Sequence, residues 1–151
     1  THDFGYQFYE KNPEIHKLGA VLITTIPGFP HIYHREIFPE GNLNSVNQEM
    51  FNFYKKLLKI REKSRALKEG EIENVWRGGD NVIAYLRKYE DEKVVVVNFL
   101  NKSATSILNL SFLPKGTVLY DELNDETFNV NDPSNFKISL SAYGARILTI
   151  K

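Results

Sequence analysis

The sequence has no cysteine, one methionine and one tryptophan among its 151 residues. Without thiols there is no disulfide framework, no thiolate metal site and no cysteine nucleophile. That lack fits a reducing compartment without requiring one, so cytoplasmic and secreted locations both stay open. An excess of one charge sign is also missing. Nineteen Lys and Arg balance nineteen Asp and Glu, for a formal net charge of zero. This excludes the electrostatic footprint of a general nucleic-acid binder. No apolar run approaches the roughly 18 residues of a membrane span, and we expect no membrane partner. The chain opens at Thr1 with neither initiator methionine nor signal peptide, and we expect it to be a piece of something longer. What the chain does have is 42% hydrophobic and 13% aromatic residues. That is enough to build a core in one large or two small domains.

Two periodicities divide the chain. Residues 1–13 are aromatic-rich (Phe4, Tyr6, Phe8, Tyr9) without a clean period. Glu14 to Thr25 reads as a mostly buried helix, with Pro13 in its first turn, Glu14 complementing the dipole and Pro27-Gly28 ending it. Val21 to Ile26 alone also fits a strand. Pro30 to Ile37 reads as a short buried strand between Pro and Gly signals. From Ser45 to about Ala66, Val46, Met50, Phe53, Tyr54, Leu57, Leu58 and Ile60 paint one helix face. Lys55, Lys56, Lys59, Arg61, Glu62 and Lys63 are assigned to the solvated face. Asn44 or Ser45 is the expected cap, and Gly70 lies just past the end.

Beyond Glu71 the pattern alternates. Strands are expected at Glu71–Arg77, Asn81–Tyr89, Lys93–Phe99, Thr105–Phe112, Thr117–Asp121, Thr127–Val130, Phe136–Leu140 and Ala145–Ile150. Turn clusters such as Gly78-Gly79-Asp80 separate them. Short strands at this spacing indicate an antiparallel sandwich, with Trp76 and Tyr85 expected in its core. A boundary falls near Leu67–Glu71. The N-terminal piece is a physical problem by itself, because one strand flanked by two helices cannot satisfy its own ladder groups. A helix–strand–helix string is what the last turn of a parallel (β/α)8 barrel would leave. The expected fold is thus α+β: residues 1–68 as the C-terminal fragment of a TIM barrel, and residues 69–151 as an antiparallel Greek-key-type β-sandwich.

Several motifs, in one consistent order, resemble the α-amylase family, glycoside hydrolase family 13. Thr1-His2-Asp3 resembles the Asn-His-Asp motif ending the seventh barrel strand. Lys17-Leu18-Gly19-Ala20 through Ile26-Pro27-Gly28-Phe29-Pro30-His31-Ile32-Tyr33 is similar to the family's helix and its Pro-Gly-x-Pro-x-Ile-Tyr eighth strand. Phe53-Tyr54-Lys55-Lys56-Leu57 to Ile60-Arg61 resembles the last barrel helix. Ile83-Ala84-Tyr85-Leu86-Arg87, Val95-Val96-Val97-Asn98-Phe99 and Ala142-Tyr143-Gly144-Ala145-Arg146-Ile147 fit the C-terminal β-domain. The resemblance implies retaining hydrolysis or transglycosylation of an α-glucan oligosaccharide or polysaccharide.

It also implies roles. Asp3 would stabilise the oxocarbenium-like transition state, and His2 would donate to the same sugar. Phe4, Tyr33 and Arg35 would complete the substrate-binding set. Two departures stand out. Thr1 replaces the usual Asn, and Tyr33-His34-Arg35-Glu36 replaces a Tyr-Gly-Asp/Gln-Glu pattern at the cleft rim. The residue reading alone favours a plain surface ion pair for Arg35 over a bond to a sugar hydroxyl or a charged substrate group. His31, His34 and Glu36 invite a metal reading, but strand residues at i and i+3 point to opposite faces. We expect no metal and no cofactor in this chain, while a calcium site elsewhere in a full enzyme stays open. The nucleophile and acid/base of a retaining enzyme, about 5 Å apart, would lie upstream of Thr1. The chain alone is therefore expected to be inactive, with the missing barrel segment as its partner. The alternative is a non-catalytic carbohydrate-binding or structural β-sandwich module.

Overall fold

A computed structural model describes residues 12–38 and 46–151. Helix α1 (Pro13–Thr25) begins with its proline in the first turn and Glu14 beside the positive dipole end, as the sequence predicts. Helix α2 (Gln48–Lys63) is capped by Asn47, whose side chain accepts the Met50 N–H at 3.1 Å. The expected caps Asn44 and Ser45 lie outside the described residues. The long helix also breaks where continuity to Ala66 was expected. Ser64 adopts extended dihedrals and caps a separate short helix, α3 (Arg65–Glu69), accepting the Leu67 N–H. Glu92 assists from the sheet: its carboxylate accepts the N–H groups of Arg65 and Ala66 at 3.0 and 3.1 Å. A serine that can satisfy a helix start locally competes with helix continuation.

Nine strands follow: β1 (Glu71–Asn74), β2 (Trp76–Gly78), β3 (Val82–Tyr89), β4 (Glu92–Phe99), β5 (Ala104–Leu108), β6 (Val118–Asp121), β7 (Glu126–Asn129), β8 (Phe136–Leu140) and β9 (Ala145–Ile150). They form an antiparallel six-stranded sheet in the order β1-β3-β4-β9-β6-β7 and a three-stranded sheet in the order β2-β5-β8. The single strand expected at Glu71–Arg77 is split, with β1 in the large sheet and β2 in the small one. Buried Val75 marks the crossing, and the Asn74 side chain turns back to bond the Trp76 backbone. Trp76, expected in the core, is 43% exposed. It sits on the edge strand of the small sheet, its indole N–H donating to Gly79 O at 3.0 Å.

The large sheet is covered on both faces, so the molecule has three layers. Leu86, Val95, Val97, Phe99 and Leu148 pack against Leu108, Phe136 and Ile138 of the small sheet. Tyr85, Val94, Val96 and Ile147 pack against Val21, Met50, Leu57 and Leu67 of the helices. This double burial explains the unbroken run Val94–Val97, because a strand wetted on one face would alternate instead. Gly70 marks the tightest join between layers. A Cβ there would overlap the carbonyl oxygens of Ala66 and Lys88. No described helix is long and apolar enough to cross a membrane.

The expected strand at Pro30–Ile37 is not formed. The described backbone after α1 is irregular and ends in a 3-10 turn, His34–Glu36. A barrel strand takes its ladder from its neighbours, and among the described residues no strand lies alongside this segment.

Candidate functional site

The segment following α1 carries Tyr33 and Arg35, the two expected sugar-site residues that are described. His2, Asp3 and Phe4 lie outside the described residues. Gly28, at φ +111°, takes the chain off the end of α1 in a conformation that disfavours side chains. Phe29 then stands fully exposed. Tyr33 opens the 3-10 turn, and the Glu36 carboxylate accepts the Tyr33 N–H at 3.4 Å. Arg35 is half-buried. It forms no salt bridge among the described residues, and its Nε has no hydrogen-bond partner there. The plain ion pair offered as its alternative role is therefore not seen.

Glu36 ties this turn to both long helices. Its carboxylate accepts a short hydrogen bond from the Tyr54 hydroxyl of α2 and lies 3.5 Å from Nε2 of His16 on α1. Burial pulls the Glu36 carboxyl up. The neighbouring His16 imidazole, the Tyr54 hydrogen bond and the Tyr33 N–H outweigh that pull and hold it below the ordinary glutamate value. Beside the turn runs an apolar groove of about 550 Å³ lined by Ile32, Ile37, Phe51, Tyr54 and Leu58. Of the residues in the metal reading, Glu36 is engaged by His16 and Tyr54, and His34 and Glu36 stand in a 3-10 turn rather than on the expected strand. Among the described residues, no three His, Asp or Glu side chains gather to hold an ion.

The other end of the segment is held by two arginines. Helix α1 has no basic residue in its last turn, yet its terminal carbonyls need donors. Arg61 of α2 supplies them to Thr24 O at 2.9 Å, Ile26 O at 3.4 Å and Gly28 O at 2.5 Å, and also bonds Leu67 O at 2.7 Å. Arg87 of β3 donates to Thr25 O through a short bond, to Gly70 O at 2.7 Å and to Glu71 O at 3.3 Å. Thr25 also shares a 2.6 Å bond with the Tyr85 hydroxyl. Burial lowers both guanidinium pKa values, and the Arg61 charge lowers that of Arg87 further. Burial raises the Tyr85 hydroxyl pKa against its hydrogen bond with Thr25 and the Arg87 charge.

Arg61 is a correction to the sequence reading. Assigned there to the solvated face, it is only 7% exposed. Its position offered a signal, since it continues the buried stripe Met50, Tyr54, Leu57 at helical spacing. His16 and Tyr54 were likewise missed as polar partners. Their sequence positions suit a plain core helix, and only the fold brings Glu36 to them.

Three comparisons bear on this architecture. Residues 74–147 match the family model for the maltogenic amylase C-terminal domain. An α-amylase 3 of Dictyoglomus thermophilum is 47% identical over 63 residues, covering 42% of this chain and 12% of that protein. An amylopullulanase of Thermoanaerobacter thermohydrosulfuricus is 28% identical over 142 residues, covering 77% of this chain and 9% of the relative. The chain thus spans about a tenth of the length of these curated relatives. Among solved structures, an Anoxybacillus α-amylase superposes with a TM-score of 0.78 at 23% identity, covering 91% of this chain and 32% of that one. That likeness shows the fold. Through residues 74–147 the chain is similar to the C-terminal β-domain of the α-amylase family, glycoside hydrolase family 13.

Proposed function

We propose that this chain is the C-terminal part of an α-amylase-type enzyme acting on α-linked glucans by retaining hydrolysis or transglycosylation. In this reading residues 1–68 complete a (β/α)8 barrel, and residues 69–151 are the β-domain behind it. Asp3 stabilises the oxocarbenium-like transition state, and His2 donates to the same sugar ring. Phe4, Tyr33 and Arg35 line the substrate site, and Arg35 forms no salt bridge among the described residues. The carboxylate pair of a retaining mechanism, about 5 Å apart, belongs to the upstream barrel strands, so the chain alone is inactive.

The observation that carries this reading is the extent of the structural likeness. It covers 91% of the chain and so runs through the helical layer as well as the sandwich. The helical layer also exposes Ile26, Phe29, Phe51 and Leu58, a set that an intact barrel would cover. Relatives named α-amylase, amylopullulanase and cyclomaltodextrinase support an α-glucan substrate.

The test is reconstitution. The 17.5 kDa chain is expected to show no turnover of maltoheptaose alone and to restore it when combined with the upstream barrel segment. In that complex Asp3→Asn should lower kcat by orders of magnitude while the fold survives. Hydrolysis by the chain alone would sink the assignment. The exposed Trp76 favours the second reading, a glucan-binding module. As the chain's one tryptophan, its fluorescence should shift with added glucan only if that reading holds.

A further inference from the structure

The segment 26–36 has no strand ladder of its own, yet its start is tied to α2 and the large sheet, and its end to both long helices. At its start, the carbonyls of Thr24, Thr25, Ile26 and Gly28 are taken up by Arg61 and Arg87. At its end, Glu36 is held by Tyr54 and His16. We propose that Arg61, Arg87 and Glu36 are positioning residues that mount this segment at two points, so that the β-domain, through Arg87, sets where Tyr33 and Arg35 stand. The functional half of this statement rests on the sugar-site reading above; the mounting itself does not.

The arginines suit this role better than that of a ligand site. All three Arg87 nitrogens are engaged by backbone carbonyls, and the residue is fully buried. A planar guanidinium can bridge carbonyls from separate elements, which a lysine ammonium on a flexible stem does poorly. Two cations at the C-terminal end of α1 also complement its negative dipole end, where the helix has none of its own. Tyr85 adds a second tie from the β-domain through its bond with Thr25. The helix end is therefore set by the sheet behind it, and the chain leaving that end inherits its starting point.

Hydrogen exchange on the 151-residue chain tests the mounting. The amides of Glu36, Ile37 and Phe38 donate within the turn and report on it. Arg61→Lys and Glu36→Gln should each speed their exchange about tenfold while amides of β3, β4 and β9 keep their rates, as local opening requires. Unchanged turn rates, or equal acceleration throughout the sandwich, would overturn the proposal. Arg87→Lys is the more direct variant, and Arg61→Lys serves if that one fails to fold. In the complex with the barrel segment, Arg61→Lys should raise KM for maltoheptaose about tenfold with kcat nearly kept. An unchanged KM would remove the positioning role. If Tyr33→Ala and Arg35→Ala also left KM unchanged, the sugar-site reading would have failed instead, and exchange alone would decide the mounting.

Discussion

The two faces of the six-stranded sheet bury arginine in different ways. On the face toward the small sheet, Arg146 closes the edge of an apolar core, bonded to Asp121 at 2.9 Å and Glu126 at 2.6 Å and lying over the Phe128 ring. On the face toward the helices, Arg61 and Arg87 are held by backbone carbonyls at the end of α1 and around Gly70, with no carboxylate among their bonds. A carboxylate neutralises a buried cation wherever its side chain reaches. A helix end offers only partial charges confined to its last turn, so that arrangement works in one position. The first arrangement fastens a domain to itself. The second fastens the β-domain to the chain that leads into the candidate site.

The largest test of this contrast removes apolar bulk from the sandwich core. Phe99 is fully buried there, and Phe99→Ala should cost about 3–5 kcal/mol. Guanidinium unfolding should show the loss in one transition shared by sheet and helices, and two separated transitions would break the three-layer picture. Next, Asp121→Ala strips Arg146 of a partner and also orphans the N–H groups of Leu123 and Ile147. A loss of about 3 kcal/mol is expected by urea titration. Arg87→Met should cost about 2 kcal/mol by leaving carbonyls unpaired, with the damage concentrated at the helix face. Near-UV circular dichroism and exchange mapping would check that location, and a cost equal to a surface change would erase the contrast.

The smallest effect is one of pH. Because the folded Glu36 pKa lies below its unfolded value, its contribution is complete above the ordinary glutamate range. It fades as pH falls through the folded value. Thermal melts of the parent chain and Glu36→Gln should therefore converge as the solution is acidified through that range. A gap that stays constant at low pH would contradict this assignment.

Much of the fold was legible along the chain because it depends on local pattern. Proline followed by Glu14 placed the start of α1, and alternation placed β3, β4, β8 and β9 within a residue or so. Misreadings arose where a distant group decides. Ser64 ends α2 because Glu92, from another element, supports a second helix start. Val75 divides a continuous-looking strand because two sheets lie on either side of it. Trp76 is exposed because its strand is an edge. Arg61 could have been placed by periodicity, but a charge on an apolar stripe is accepted only once the carbonyls that receive it are known.

The absences noted first, of thiols, of net charge and of long apolar runs, together with the order of the motifs, were decided by the sequence. So was the family resemblance, since those motifs are local in the chain. Tertiary structure alone decided that the large sheet is buried on both faces, that Arg87 of the β-domain caps a helix far from it in sequence, and that Glu36 joins His16 and Tyr54. The physical reason is the same in each case. Periodicity records which side of an element is apolar, whereas a buried polar group is fixed by partners that only the folded chain brings within hydrogen-bond reach.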